Sequence, residues 1–144
     1  MSCAVYSTIK KPGISAQQIQ SIVTVVLGRL KKKNMDVSVH CVGEWRMRTL
    51  NRIHRGVDRP TDVLSFPVDA SFPGVTNMDA GDIFVCPSYL RKQAARFAVP
   101  FKEEVSRMII HATLHLFGYD HVRRGEANKM FALQEDILSQ YLNT

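Results

Sequence analysis

The sequence predicts an α+β fold in which a small mixed sheet packs against helices around one central buried helix. Three observations carry this. Short runs of strand-like alternation are interleaved with stretches whose apolar residues recur at helical spacing. One segment, from Phe101 to Phe117, is apolar on nearly every side beyond its first turns, as in a helix enclosed by its own domain. The chain has 144 residues, 45% of them hydrophobic, enough for one core without disulfide or metal staples. A single domain over 1–144 follows, since no internal repeat or long linker interrupts it.

The elements follow in order. Residues 4 to 9 read as a short strand. Ser15 and Gln18 form a capping box ahead of Ile19, Ile22, Val23, Val26, Leu27 and Leu30, a core-packed helix closing on Lys31, Lys32 and Lys33. Residues 35 to 42 alternate, with Val37, Val39 and Cys41 on one face and His40, read as a surface residue, on the other. Residues 44 to 53 form a shorter helix through Trp45, Leu50 and Ile53, with Trp45 as core anchor. The turn-rich HRGVDRPTD leads into a short buried strand, VLSFPV. Residues 69 to 81 read as an irregular connection and 82 to 86 as a strand. Pro87 opens a helix to about residue 98. The helix from Phe101 stops at Gly118, a residue suited to the left-handed conformation, and an amphipathic helix runs from about Glu126 to Tyr141.

Composition narrows the function. No stretch reaches the about 18 uninterrupted apolar residues of a membrane span. The N-terminal residues have neither a signal-peptide core nor a transit-peptide pattern, so a cytosol-like compartment is expected. Cys3, Cys41 and Cys86 lack CxxC spacing and read as reduced core thiols. Nineteen Lys and Arg against thirteen Asp and Glu give a net charge of +6, which suits a polyanionic partner and equally suits simple solubility.

Three of the five histidines fall in one eleven-residue window. His111 and His115, four residues apart on a helix, project to one side, and the chain can turn after Gly118 to bring His121 to the same point. Three imidazoles hold one divalent metal ion, most readily zinc, and leave a position open for water, as at catalytic sites. Nickel, copper or cobalt also suit such a set. The central helix is therefore expected to be metal-bearing. Individually each histidine could be a hydrogen-bonded core or loop residue, but two buried imidazoles one turn apart need something to satisfy their nitrogens. The spacing H-x-x-x-H-x-x-G-x-x-H is that of metzincin proteases, yet the general-base glutamate expected after the first histidine is replaced by Ala112. Asp120 either orients His121 or another ligand through a hydrogen bond or caps the turn. Asp62 and Asp82 either touch substrate or brace loops.

The segment HATLHLFGYDH at 111–121 resembles the HGxLHLxGYDH signature of the YbeY (UPF0054) family of rRNA maturation factors. NRIHRGVDRPTDVLSFP at 51–67 resembles a second stretch of that family, and Gly81-Asp82-Ile83 its GDI element. With the spacing of Met130, Glu135, Ile137 and Leu138, the resemblance covers most of the chain from Asn51 onward; Ala112 stands where the family usually has glycine. The resemblance implies a metal-dependent, single-strand-specific endoribonuclease in rRNA maturation and ribosome quality control. It implies His111, His115 and His121 as ligands and Arg55 as the functional arginine. It also implies ribosomal RNA or a ribosomal subunit as partner, with neither DNA nor membrane, in the cytoplasm, or in an organelle if the source is eukaryotic. On the residues alone Arg55 reads instead as a loop-bracing ion pair with Asp58 or Asp62. Two other functions fit the residues: a zinc peptidase, which Ala112 opposes, and an RNA-binding ribosome assembly factor whose metal is structural.

Overall fold

Four short segments build one sheet, and the alternation is cleanest in the second strand, which buries Val37, Val39 and Cys41. The computed structural model of the chain describes residues 3–68, 78–120 and 123–144. The strands are β1 (Cys3–Ser7), β2 (Asp36–Cys41), β3 (Val63–Pro67) and β4 (Asp79–Val85), in spatial order β1-β2-β4-β3. β1 and β4 both run parallel to β2, while β3 is antiparallel to β4, so the sheet is mixed as expected.

The helices are α1 (Ala16–Arg29), α2 (Glu44–Arg55), α3 (Pro87–Arg96), α4 (Phe101–Leu116) and α5 (Arg124–Leu142). The α1 capping box forms in full: Gln18 N donates to Ser15 Oγ and Ser15 N donates to Gln18 Oε1. α1 stops at Arg29, short of the lysine run. Lys31 takes the left-handed conformation (φ 57°) that turns the chain toward β2, so the lysines lie just beyond the helix end.

α4 is the centre of the fold. It touches α1, α3 and α5 as well as β3 and β4, and Val105, Ile109, Ile110, Ala112 and Leu114 are all buried. α5 returns Met130, Ile137 and Leu138 to this core. Gly118 adopts a left-handed φ of 91°, as its place after α4 predicts.

Two expectations are corrected. Trp45 is 79% exposed and Ile53 is 65% exposed. α2 faces the core through Met47, buried with Val42, Leu64 and Cys86 in a small cluster joined by Leu50. A residue two positions from Met47 points about 200° away around the helix, so Trp45 faces outward. The fourth strand begins at Asp79 rather than residue 82, because Gly81 is a strand residue at an irregularity: Asp36 pairs with Asp79 but Val37 pairs with Gly81. The expected irregular connection lies largely at 69–77, outside the described residues. His40 does sit on the sheet face opposite Val39, but it is only 25% exposed at the side chain. It is stacked between Tyr6 (5.1 Å) and Phe84 (4.4 Å), with Nε2 2.9 Å from Asp82 Oδ1.

The three cysteines are free and buried. Burial pushes the Cys3 and Cys41 thiols up to about 11. Native protein at pH 8 is therefore expected to react with a thiol reagent only on unfolding. In the unfolded chain these thiols ionise near their ordinary value of 9.0, so their contribution to stability, present below pH 9, is lost as pH rises toward 11. Stoichiometric labelling of folded protein at pH 8 would contradict this.

Candidate metal centre and its surroundings

α4 is enclosed on most sides, but along one side it borders a cavity of about 390 Å³ between α4 and the β3 end of the sheet. His111, Ala112 and His115 line it from α4, Val63 and Ser65 from β3, and Arg55 and Asp62 from either end of the intervening loop. The two histidine rings stand 4.9 Å apart at 74° to one another, on one side of the helix as residues four apart should be. His121, the expected third ligand, and its relation to Asp120 lie outside the described residues. Among the described residues no third His, Cys, Asp or Glu completes a metal set.

The donor set nevertheless fits a metal ion, and Gln134 is the reason. This residue is 4% exposed on the core face of α5, and its Oε1 lies 2.6 Å from His111 Nδ1. Gln134 Nε2 donates to Glu135 Oε2 at 3.1 Å, which fixes the amide orientation and makes Oε1 the acceptor. His111 Nδ1 therefore carries the proton and its basic nitrogen is Nε2, the tautomer a ligand requires. Gln134 is the residue that sequence reading missed. Its signal was a polar side chain at a core position between Met130 and Ile137. Gln134→Leu is expected to weaken zinc binding by about 10–100-fold with little change in fold, checked by competition with a chromogenic chelator; unchanged affinity would remove Gln134 from this role.

From Gln134 a polar chain runs back to Asp62 on the cavity wall. Glu135 accepts from Arg107 Nε at 3.0 Å, Arg107 Nη1 donates to the buried Glu104 at 2.7 Å, and Gln93 Nε2 donates to Glu104 at 2.8 Å and to Asp62 at 3.2 Å. Burial alone would lower the Arg107 guanidinium and raise the Glu135 carboxyl; their mutual hydrogen bonds reverse both, holding Arg107 charged and Glu135 below the usual carboxylate range. Asp62 Oδ1 also accepts from Val63 N at 2.7 Å and Thr61 Oγ1 at 3.2 Å. With both oxygens engaged, Asp62 braces the loop rather than acting as a base. Asp82 bonds His40 on the sheet face away from this cavity and takes no part in it.

Arg55 closes α2, and Gly56 (φ 72°) turns the chain out of the helix. The ion-pair alternative for Arg55 is not what forms: Asp58 is held by Arg48 at 2.8 and 3.1 Å, and Asp62 by the bonds just described. Among the described residues Arg55 forms no ion pair, and it lines the same cavity as His111 and His115.

Two segments distant in sequence, 51–67 and 111–115, thus meet at one cavity. The sequence profile of the family Endoribonuclease YbeY matches residues 6–142. The chain belongs to the YbeY endoribonuclease family. The YbeY endoribonuclease of Persephonella marina is 38% identical over 125 residues, 86% of this chain and 82% of its own. That of Aquifex aeolicus is 35% identical over 133 residues, 92% and 87% of the two chains. A solution structure of a Thermotoga maritima protein superposes with a TM-score of 0.68 at 28% identity, covering 98% of this chain and 89% of that one. The YbeY match takes in the end of the first strand and the whole first helix, where the sequence motifs alone were silent. No described helix is long and apolar enough to cross a membrane.

Proposed function

We propose that the protein is a metal-dependent endoribonuclease that cuts single-stranded RNA, with ribosomal RNA as its substrate in rRNA maturation and ribosome quality control in the cytoplasm. The observation that carries this reading is one cavity lined by Arg55, His111 and His115 together, in a chain of the YbeY endoribonuclease family. His111, His115 and His121 would hold one divalent ion, zinc by the preference of an imidazole set. When bound, such an ion polarises a phosphoryl oxygen and lowers the pKa of a water molecule.

The chain's own residues supply the rest. Arg55 offers a planar, permanently charged fork that binds a phosphate through two N–H groups and stabilises the charge that grows on it. Gln134 keeps the His111 proton on Nδ1 and out of the ligand position. The Gln93–Asp62 bond ties the loop that follows Arg55 to α3. The wall beside His111 is the Ala112 methyl, 1% exposed, where a zinc peptidase would place its general base; RNA is favoured over peptide on that ground.

The test is cleavage of single- and double-stranded RNA by zinc-loaded wild type and Arg55→Ala, with zinc content measured in the same samples. Internal cuts confined to single strands are expected. Arg55→Ala should retain zinc while losing about 10²–10³-fold in kcat/KM. Wild type that is fully loaded, leaves RNA intact and still binds it would turn the reading to an assembly factor with a structural metal.

A further inference from the structure

A second cavity, of about 410 Å³, adjoins the first, and Arg55 is common to both walls. Its size falls in the lower part of the range of about 300–1,000 Å³ typical of small-molecule sites. Besides Arg55 it is lined by Asn51, Arg59, Thr61 and Tyr89. Two arginines line it and no acidic residue does, because Asp58 is held by Arg48 and Asp62 lines the other cavity. That balance calls for an anion. Tyr89, packed at the edge of the small cluster around Met47, brings an aromatic ring to the same wall.

Asn51 gives the decisive observation. It is 2% exposed, and its Nδ2 donates to the Arg59 carbonyl at 2.8 Å, so the amide cannot be turned over without losing that bond. Oδ1 is then an acceptor, and among the described residues it has no donor. A buried acceptor without a partner is unfavourable and is relieved by an arriving N–H.

We infer that this second cavity is a nucleotide subsite, taking the nucleotide next to the cleaved phosphate of the same RNA strand. Arg59 binds its phosphate while Arg55, at the junction of the two cavities, serves the cleaved one; Tyr89 stacks on its base, and Asn51 Oδ1 accepts an N–H from the Watson–Crick edge. Every base has such a donor, so the subsite tolerates sequence, but in a duplex that donor is occupied. The subsite therefore selects unpaired strands, which gives the single-strand preference a structural origin. The inference rests on the endoribonuclease reading for the identity of its strand, and on the cavity alone for its nucleotide chemistry.

The experiment has two arms. In the first, uridine 5′-monophosphate, 3-methyluridine 5′-monophosphate and ribose 5-phosphate are titrated into zinc-loaded protein followed by ¹⁵N NMR. Uridine monophosphate should shift the Asn51 side-chain amide and the Arg59 and Tyr89 signals. Methylation at N3, loss of the base, or Arg59→Gln should each weaken binding by roughly 5-fold or more. Equal affinity for all three ligands would reduce the cavity to an anion patch and overturn the inference. In the second arm, Arg59→Gln and Tyr89→Leu should raise KM for a single-stranded oligonucleotide by roughly 5-fold or more with kcat within about 2-fold, and Arg59→Gln should lower the salt slope of binding by about 1. Arg59 is exposed, so its variant keeps the fold even if Tyr89→Leu does not. Unchanged KM in Arg59→Gln would overturn the subsite and leave the nuclease reading standing. If wild type cuts no RNA, that reading fails and the nucleotide titration still decides the subsite.

Discussion

His115→Ala is expected to lose zinc binding and to lower RNA cleavage on the order of 10³-fold or more, with the fold intact. The activity loss follows from removing one imidazole of a set that leaves no surplus ligand: the ion is no longer retained at working concentrations. The fold survives because His115 lines the cavity while Ile109, Ile110 and Leu114, fully buried on the same helix, hold α4 in place. Alanine is also the strongest helix former, so the last turn does not fray. Chelated wild type should behave like the variant and recover on return of zinc; the variant should not recover. Circular dichroism melts of the two apo proteins should agree within a few degrees. A His115→Ala protein that cleaves RNA at the wild-type rate with no bound zinc would end the metal-dependent proposal. A collapse of cooperative unfolding on chelation would shift weight to a structural role for the ion.

The second large effect is on stability. Gly81→Ala is expected to destabilise the protein by about 3 kcal/mol or more, measured as a lowered urea midpoint with unchanged m-value. Gly81 has φ 138°, a conformation side chains rarely adopt, and it pairs with Val37 of β2 and Pro67 of β3. A Cβ there would overlap the Phe66 carbonyl oxygen and crowd Pro67 Cα at 3.0 Å and Leu116 Cδ2 at 3.1 Å. The obstacle is backbone of the neighbouring strand, which cannot move without breaking the ladder. Because β3 also supplies Val63 and Ser65 to the cavity wall, any residual folded variant should show weakened cleavage as well. A loss under about 0.5 kcal/mol, the range of ordinary surface changes, would mean that β3 yields more easily than its pairing indicates.

Several features were legible in the residues because local chemistry decides them. The capping box of α1, the proline-first start of α3, the all-round apolar α4 and the glycine that ends it all depend on neighbours a few positions away. Gly81 was misread for the same reason. A glycine near Pro73, Gly74 and Asn77 reads as loop, and only the approach of β3 shows that it is a strand residue with no room for a side chain. Trp45 was misassigned because size suggests burial, whereas the orientation of α2 is fixed by Met47 and Leu50 against the outer face of β3 and β4. For the site, helical periodicity placed His111 and His115 together. What it could not supply was the partner of Arg55, since whether Asp58 pairs with Arg55 or Arg48 depends on the turn at Gly56. Nor could it find Gln134, whose role exists only across the contact between α4 and α5.

That last contact has a consequence for the order in which competence is acquired. The side chain that sets the His111 tautomer sits on α5, and α5 follows every other element along the chain. During synthesis the sheet and α4 can assemble while residue 134 is still unmade, but the imidazole then has no partner to choose its proton. Under the proposed function, a nascent chain without α5 would hold the ion less tightly, and the docking of α5 would complete the surroundings of His111 last.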